Sequence, residues 1–269
     1  MASSANGTTL PFLPISDLLN PYESKALLDQ YLLFHYGTRE ETLPFPGGPV
    51  EALDFAKRTV SENLDPEAVE SGGRALDLGC AVGRSAFELS RFCREVIGID
   101  FSASFINAAE EVGRGPYPYD RLDEGALTTP LQARLPEGAR PELCHFETGD
   151  AMNLRPDLGE FDIVHVANLL CRLPQPRRCL DRLPALLNPG GILIITSPYT
   201  WLDEFTPREA WLGGFRRDDR PIVTREALQT ALEPTLTLKT TRELPFLIRE
   251  HSRKYQWSVA QATVWKKPL

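Results

Sequence analysis

The sequence predicts an α/β fold: a doubly wound, mostly parallel seven-stranded sheet that ends in an antiparallel hairpin and is preceded by a helical cap. Three observations carry this reading. Between residues 74 and 197, short apolar runs alternate with segments of helical periodicity. The first apolar run leads into a glycine-bearing turn, Asp77-Leu78-Gly79-Cys80-Ala81-Val82-Gly83, that opens a helix. The last extended runs, 235–243 and 257–265, suit an antiparallel pair at one sheet edge.

Each element follows from its local pattern. Residues 1–15 are largely small and polar and read as a flexible tail. Helical spacing starts at Ser16, with Leu18, Leu19, Tyr22, Leu27, Leu28, Tyr31, Leu32 and Phe34 largely three or four apart. No helix crosses Leu43-Pro44-Phe45-Pro46-Gly47-Gly48-Pro49, and a second helix is expected over 50–63. Residues 16–70 are thus expected to form an N-terminal cap and 71–269 the sheet domain. Within that domain, strands are expected at 74–78, 95–99, 143–147, 161–167 and 191–197, and helices at 85–92, 102–112, 175–187 and 224–232. Two stretches break the rhythm. Residues 113–141, with Pro116, Pro118, Pro130, Pro136 and Pro141, suggest a flap, and 199–221, with Trp201, Trp211 and Gly213-Gly214, a lid. Both follow elements that end at the carboxyl side of the sheet, the usual ligand edge.

Composition narrows the function. The chain has 269 residues, 42% hydrophobic and 25% charged, which are ordinary globular values. A net charge of −8 weighs against nucleic-acid binding through broad phosphate contacts. No apolar run approaches the ~20 residues that span a bilayer, and the start shows no secretory pattern, so a cytoplasmic protein is expected. The 5 cysteines, at 80, 93, 144, 171 and 179, form no CxxC pair and read as reduced thiols, with no metal site.

The strongest local signal is Leu76-Asp77-Leu78-Gly79-Cys80-Ala81-Val82-Gly83-Arg84-Ser85. It lacks both the Gly-x-Gly-x-x-Gly pattern and the lysine of phosphate-binding loops. Asp77 instead precedes the first glycine, and a carboxylate there repels pyrophosphate but suits a cationic or hydroxyl-rich ligand. The turn resembles the glycine-rich motif of class I S-adenosylmethionine-dependent methyltransferases, Asp/Glu-x-Gly-x-Gly-x-Gly, and departs from it at Ala81. Further elements follow in that family's order: Asp100, Gly149-Asp150-Ala151, Phe161-Asp162-Ile163-Val164 leading to Asn168, and Asn188-Pro189-Gly190-Gly191. The resemblance implies a Rossmann-like fold, S-adenosyl-L-methionine as cofactor, S-adenosyl-L-homocysteine as product, and no metal. It implies cofactor contacts from Asp77, Gly79, Cys80, Ala81, Gly83, Asp100, Phe101, Asp150, Ala151 and Asn168, with Asp100 on the ribose hydroxyls and Asp150 on the adenine amino group. Two other classes stay open. A nicotinamide-dependent dehydrogenase also ends its second strand in an acid, though Asp77, the missing motif glycine and the terminal antiparallel pair disfavour it. A non-catalytic S-adenosylmethionine-binding protein would share every motif.

The flanks narrow the resemblance. Asn20-Pro21-Tyr22-Glu23-Ser24, residues 31–37, Ser197-Pro198-Tyr199-Thr200-Trp201 and residues 249–258 resemble the C-terminal methyltransferase domain of ovothiol synthases, a 4-/5-thiohistidine N-methyltransferase. The similarity runs from about residue 20 to residue 267. It implies methylation of the imidazole π-nitrogen of 5-thiohistidine to give ovothiol A, with an iron-dependent sulfoxide synthase and a lyase as pathway partners. The chain is expected to be a stand-alone form of the methylating step; the alternative is another small imidazole or thiol metabolite. Sulfur is the better nucleophile of that substrate, so selectivity for nitrogen rests on orientation. Asn168 and Tyr36 are the expected catalytic residues, with His35, Tyr199, Arg253 and Gln256 as further hydrogen-bonding candidates. Arg172 or Arg253 would take the substrate carboxylate, Glu204 or Asp203 its amine, and Trp201 would belong to the lid.

Overall fold

The computed structural model describes residues 21–65 and 73–269; the expected tail and both ends of the expected cap segment lie outside them. Helix α1 (Lys25–Tyr36) starts at Ser24, whose hydroxyl accepts from the Leu27 N–H. A one-turn helix, α2 (Arg39–Thr42), opens with a Thr38/Glu41 capping box. The helix expected over 50–63 is broken: Asp54 has φ 55°, and α3 (Phe55–Ser61) starts only after it.

The sheet region runs β1 (Arg74–Leu78), α4 (Arg84–Leu89), β2 (Glu95–Asp100), α5 (Ala103–Arg114), β3 (Tyr117–Glu124), β4 (Leu127–Ala133), β5 (Cys144–Thr148), β6 (Phe161–Ala167), α6 (Pro176–Arg182) and β7 (Leu187–Ser197). It continues with β8 (Phe215–Arg217), β9 (Arg220–Ile222), α7 (Thr224–Leu232), β10 (Thr237–His251) and β11 (Lys254–Lys266). Seven strands form one sheet in the order β10-β11-β7-β6-β1-β2-β5. The five from β7 to β5 are parallel, and β11 and β10 are antiparallel. This is the sheet that the sequence predicts. The chain winds outward from β1 in both directions, which opens a crevice where the carboxyl ends of β1 and β6 lie side by side.

Both faces of the sheet are covered. On one, Leu76, Leu78, Val164, Val166, Leu193 and Ile195 pack with Leu180, Leu183, Leu228 and Leu232. On the other, Ala75, Ile163, Ile194 and Val264 pack with Val60 and Leu89. The alternation of strand side chains puts Asp77 and His165 on this second face, beneath α3 and α4. The stretch after α5 forms the β3–β4 hairpin, whose Tyr119 and Ala133 are buried beside Leu32 and Phe105. Among the described residues, no helix is long and apolar enough to cross a membrane.

Three boundaries differ from the sequence reading. Pro184 turns the end of the helix expected over 175–187 into a 3-10 segment. Strand β7 starts at Leu187, four residues before the expected 191, through a bulge in which Phe161 pairs with Leu187 but Ile163 with Ile192. That bulge is fixed by the chain end, since Gly190 N–H donates to the Lys267 carbonyl and Lys267 N–H to the Gly191 carbonyl. Finally, the terminal hairpin is longer than expected. β11 pairs β7 only from Gln261 onward, so the β10–β11 ribbon overhangs the carboxyl edge as far as the turn at Ser252-Arg253.

The overhang exists because the N-terminal segment covers it. Leu244 and Phe246 are buried with Phe55 and Phe34, and Leu247 with Leu43 and Ala52. The Phe246 ring lies 4.8 Å from Phe55 and 6.1 Å from Phe34. Phe246→Ala should therefore destabilise the protein by about 3–5 kcal/mol. A lower denaturant midpoint with an unchanged slope is the expected readout.

Candidate active site

The glycine turn is held against β2. The N–H groups of Gly79 and Cys80 both donate to the Ile99 carbonyl, at 2.8 and 3.1 Å. Gly79 has φ 76°, and a Cβ there would stand 3.0 Å from Leu169, just beyond β6, so the turn lies flush with the neighbouring strand exit. Ala81 has φ 47°, the left-handed region in which a side chain costs roughly 1–2 kcal/mol. The position at which the sequence departs from the family motif is thus one where the backbone favours glycine. This conformation sends the Ala81 N–H to Asp100 Oδ2 at 2.9 Å.

Asp100 is the electrostatic centre of the edge. Its Oδ1 accepts the Ser102 N–H at 2.9 Å, so each carboxylate oxygen receives one backbone donor and keeps a lone pair. A vicinal diol such as a ribose matches that pair of acceptors. Burial pushes the carboxyl up to about 6, against the lowering effect of the Ser102 and Ala81 N–H groups. Phe101 follows, 67% exposed, an aromatic face free for a planar base. At the end of β5, Asp150 Oδ1 takes the Met152 N–H at 2.8 Å, which leaves Oδ2 for an amino group. These acceptors fit the adenosine of S-adenosylmethionine.

The N-terminal segment is latched over this acid. Glu23 accepts the first N–H groups of α5, from Ala103 at 2.8 Å and Ser104 at 3.2 Å. The Ser102 and Ser104 hydroxyls donate to the Tyr22 carbonyl at 3.0 and 3.1 Å. At the other end of α1, the Tyr36 hydroxyl donates to the Val82 carbonyl at 2.6 Å.

Beside the latch lies an aromatic cage with one cation. Tyr22 hydrogen-bonds Tyr31 and Arg172, and burial raises its phenol. The Tyr31 ring stacks toward Phe105 at 4.8 Å and His35 at 5.8 Å. Arg172 lies over Phe205 at 4.7 Å and donates to the Cys171 and Thr200 carbonyls, both at 3.1 Å. Burial, reinforced by Arg84, holds His35 down at about 3, and its Nδ1 is buried without a partner. Asn168 and Tyr199 close the edge after β6 and β7, both left-handed, with φ 51° and 53°. Such conformations concentrate at functional edges. The Thr196 hydroxyl donates to Asn168 Oδ1 at 3.3 Å, so the amide presents Nδ2 to a ligand.

Several expected site residues are placed elsewhere. Asp77 is fully buried, with Oδ2 taken by the Ser85 hydroxyl at 2.9 Å and Oδ1 by His165 Nδ1 at 2.7 Å, so it supports the turn from behind. Cys80 is also buried, and burial raises its thiol well above its usual value. The single Tyr36 proton goes to Val82, which removes it as a donor to substrate. Trp201 is an anchor: it stacks on Trp211, and its Nε1–H donates to Thr224 Oγ1 at 2.9 Å. Asp203 and Glu204 are exposed. Arg253 and Gln256 are exposed near the far end of the hairpin, where Gln256 Nε2 donates to Glu250 at 2.7 Å. The Tyr199 hydroxyl donates to Gln261 at 3.0 Å.

Sequence reasoning missed Tyr22, Glu23, Phe205 and His165 as site-forming groups. Only His165 left a signal, as a polar residue inside the otherwise apolar Ile163-Val164-His165-Val166. Among the described residues, no group of three His, Cys, Asp or Glu side chains is arranged to hold a metal ion.

A pH dependence follows from Asp100. Hydroxyl donors favour its ionised form, so binding should release a proton, and affinity should fall as pH drops through about 6. Calorimetry with S-adenosylhomocysteine should show about tenfold weaker binding below that range. Asp100→Asn should bind weakly with no such dependence.

Comparisons with known proteins agree with this geometry. Residues 52–235, more than half of the chain, match the methyltransferase domain family. A ubiquinone biosynthesis O-methyltransferase from Coxiella burnetii is 24% identical over 152 residues, 56% of this chain and 55% of that protein. The chain therefore spans about half the length of the curated relatives it matches. The N-methyltransferase NodS from Bradyrhizobium japonicum, solved with S-adenosyl-L-homocysteine, superposes with a TM-score of 0.52 at 17% identity, covering 90% of this chain and 99% of that one. The [4+2]-cyclase SpnF superposes with a TM-score of 0.59 at 18% identity, covering 97% and 100%. Those two likenesses show the fold, and the family match together with the Asp100 edge shows more: the chain belongs to the methyltransferase domain family, with S-adenosylmethionine as its cofactor.

Proposed function

We propose that this chain is a small-molecule N-methyltransferase that methylates the imidazole π-nitrogen of 5-thiohistidine, the last step toward ovothiol A. The observation that carries the substrate class is Arg172, a guanidinium fixed by two carbonyls, stacked on Phe205 and bonded to Tyr22 beside Asn168. A small aromatic amino acid suits that arrangement: aromatic walls take the ring and Arg172 the carboxylate. The segments similar to ovothiol-synthase methyltransferase domains support the particular ring. In this reading an iron-dependent sulfoxide synthase and a lyase act upstream, in the cytoplasm, where unpaired cysteines are the rule.

The cofactor supplies an already electrophilic methyl group, so the protein's task is alignment and exclusion of water. Asn168 Nδ2 donates to the substrate thiolate and turns the sulfur aside, leaving the ring nitrogen in line. With its proton on Val82, Tyr36 acts on the glycine turn, and the Asn168 amide carries the selectivity alone.

The fold by itself does not choose the reaction, since a cyclase shares it. Product analysis does. Incubation with S-adenosylmethionine and 5-thiohistidine should yield the π-N-methyl product by mass spectrometry with site assignment, and histidine should react poorly. Asn168→Ala should release S-methyl product as well, because a lost donor is worth roughly 1–3 kcal/mol, a ten- to hundredfold change in product ratio. Arg172→Gln should raise the KM for thiohistidine with the cofactor affinity unchanged. Equal turnover of histidine, or pure N-methyl product from Asn168→Ala, would sink the assignment.

A further inference from the structure

Asp77 and His165 are register partners on adjacent parallel strands and are completely buried. Four hydrogen bonds run through them. Ser85 Oγ–H donates to Asp77 Oδ2 at 2.9 Å, and Asp77 Oδ1 faces His165 Nδ1 at 2.7 Å. His165 Nε2 faces Thr59 Oγ1 at 3.0 Å, and Thr59 donates its only proton to the Ala56 carbonyl at 2.8 Å. The roles are therefore fixed by proton count. Thr59 has no proton left for Nε2, so Nε2 carries the hydrogen. One further proton lies between Nδ1 and Oδ1, and the more basic imidazole keeps it. The result is a buried imidazolium–carboxylate pair with no net charge.

This overturns what an acidic residue before a glycine turn suggests. Asp77 offers no net negative charge to a cationic ligand. What it does is mechanical: Asp77 ends β1 and Ser85 lies in the first turn of α4, so their hydrogen bond ties the two ends of the turn together. His165 braces that tie from β6, three residues before Asn168, and Thr59 braces His165 from α3.

We propose that His165 is a positioning residue for the cofactor turn. Through Asp77 it holds both ends of residues 77–85, and through Thr59 it couples the turn to the seating of the N-terminal segment. This rests on cofactor binding and not on the thiohistidine reading.

The discriminating variant is Asp77→Asn in the full chain. An amide keeps the geometry with a neutral ring, donating Nδ2–H to Nδ1 and accepting from Ser85 on its oxygen. Calorimetric titration should find S-adenosylhomocysteine affinity within about threefold of wild type, whereas Thr59→Val, of nearly equal volume, should weaken it about tenfold. In nitrogen-15 spectra, the wild-type His165 signal, assigned by its loss in His165→Gln, should show two protonated ring nitrogens. In Asp77→Asn one of them should become unprotonated. Tenfold or greater loss in Asp77→Asn would mean that the carboxylate charge itself holds the cofactor. That result, wild-type affinity in Thr59→Val, or an unprotonated ring nitrogen in wild-type His165 would overturn the proposal.

Discussion

A carboxylate sealed from water must find all its partners inside the protein, and in this chain that demand organises the ligand edge. Asp77 cannot be buried without donors, and the available donors sit on two other elements, Ser85 on α4 and His165 on β6. Satisfying it closes the glycine turn and locks β1 to β6 at the point where the sheet's winding reverses. With the turn closed, Ala81 is driven into a left-handed conformation and its N–H reaches Asp100. The acid that meets the ribose is thus aimed by an acid that meets no ligand.

A second dependence runs through the N-terminal segment. Helix α1 and the elements around it lie across the overhanging β10–β11 ribbon, the β3–β4 hairpin and the start of α5. The contacts differ in kind at each place. Phe34 and Phe55 bury apolar area against Phe246, Glu23 caps the helix after Asp100, and Tyr36 bonds the glycine turn. Hydrophobic burial supplies most of the binding energy, and the polar contacts set the register of the segment on the edge. The same segment brings Tyr22 and Tyr31 beside Arg172, so the cage and the cover are one structure.

Legibility in the sequence followed the range of each interaction. The order of strands and helices could be read because apolar periodicity is local. Asp100, Asp150, Asn168 and Arg172 could be placed near the edge because each follows closely on the end of an edge-directed strand. Side-chain roles were harder. Asp77 looked like a ligand contact and Tyr36 like a substrate donor, yet Asp77 is bonded by His165, 88 residues away, and Tyr36 donates to Val82, 46 residues away. Trp201 looked like a lid residue and is a buried anchor on Thr224. Glu23 and Phe205 carried no signal, since a capping carboxylate on another element and an aromatic under an arginine have no spacing to read.

What the sequence by itself determined, then, was the sheet, its winding and the cofactor edge, because backbone hydrogen bonding and strand burial repeat at fixed short intervals. Tertiary structure alone decided the length of the terminal ribbon, the latch over Asp100 and the destination of each buried proton. Those depend on which side chains meet across the fold. A buried polar atom is satisfied by whatever donor packing brings within about 3 Å, and that neighbour is set by the whole chain.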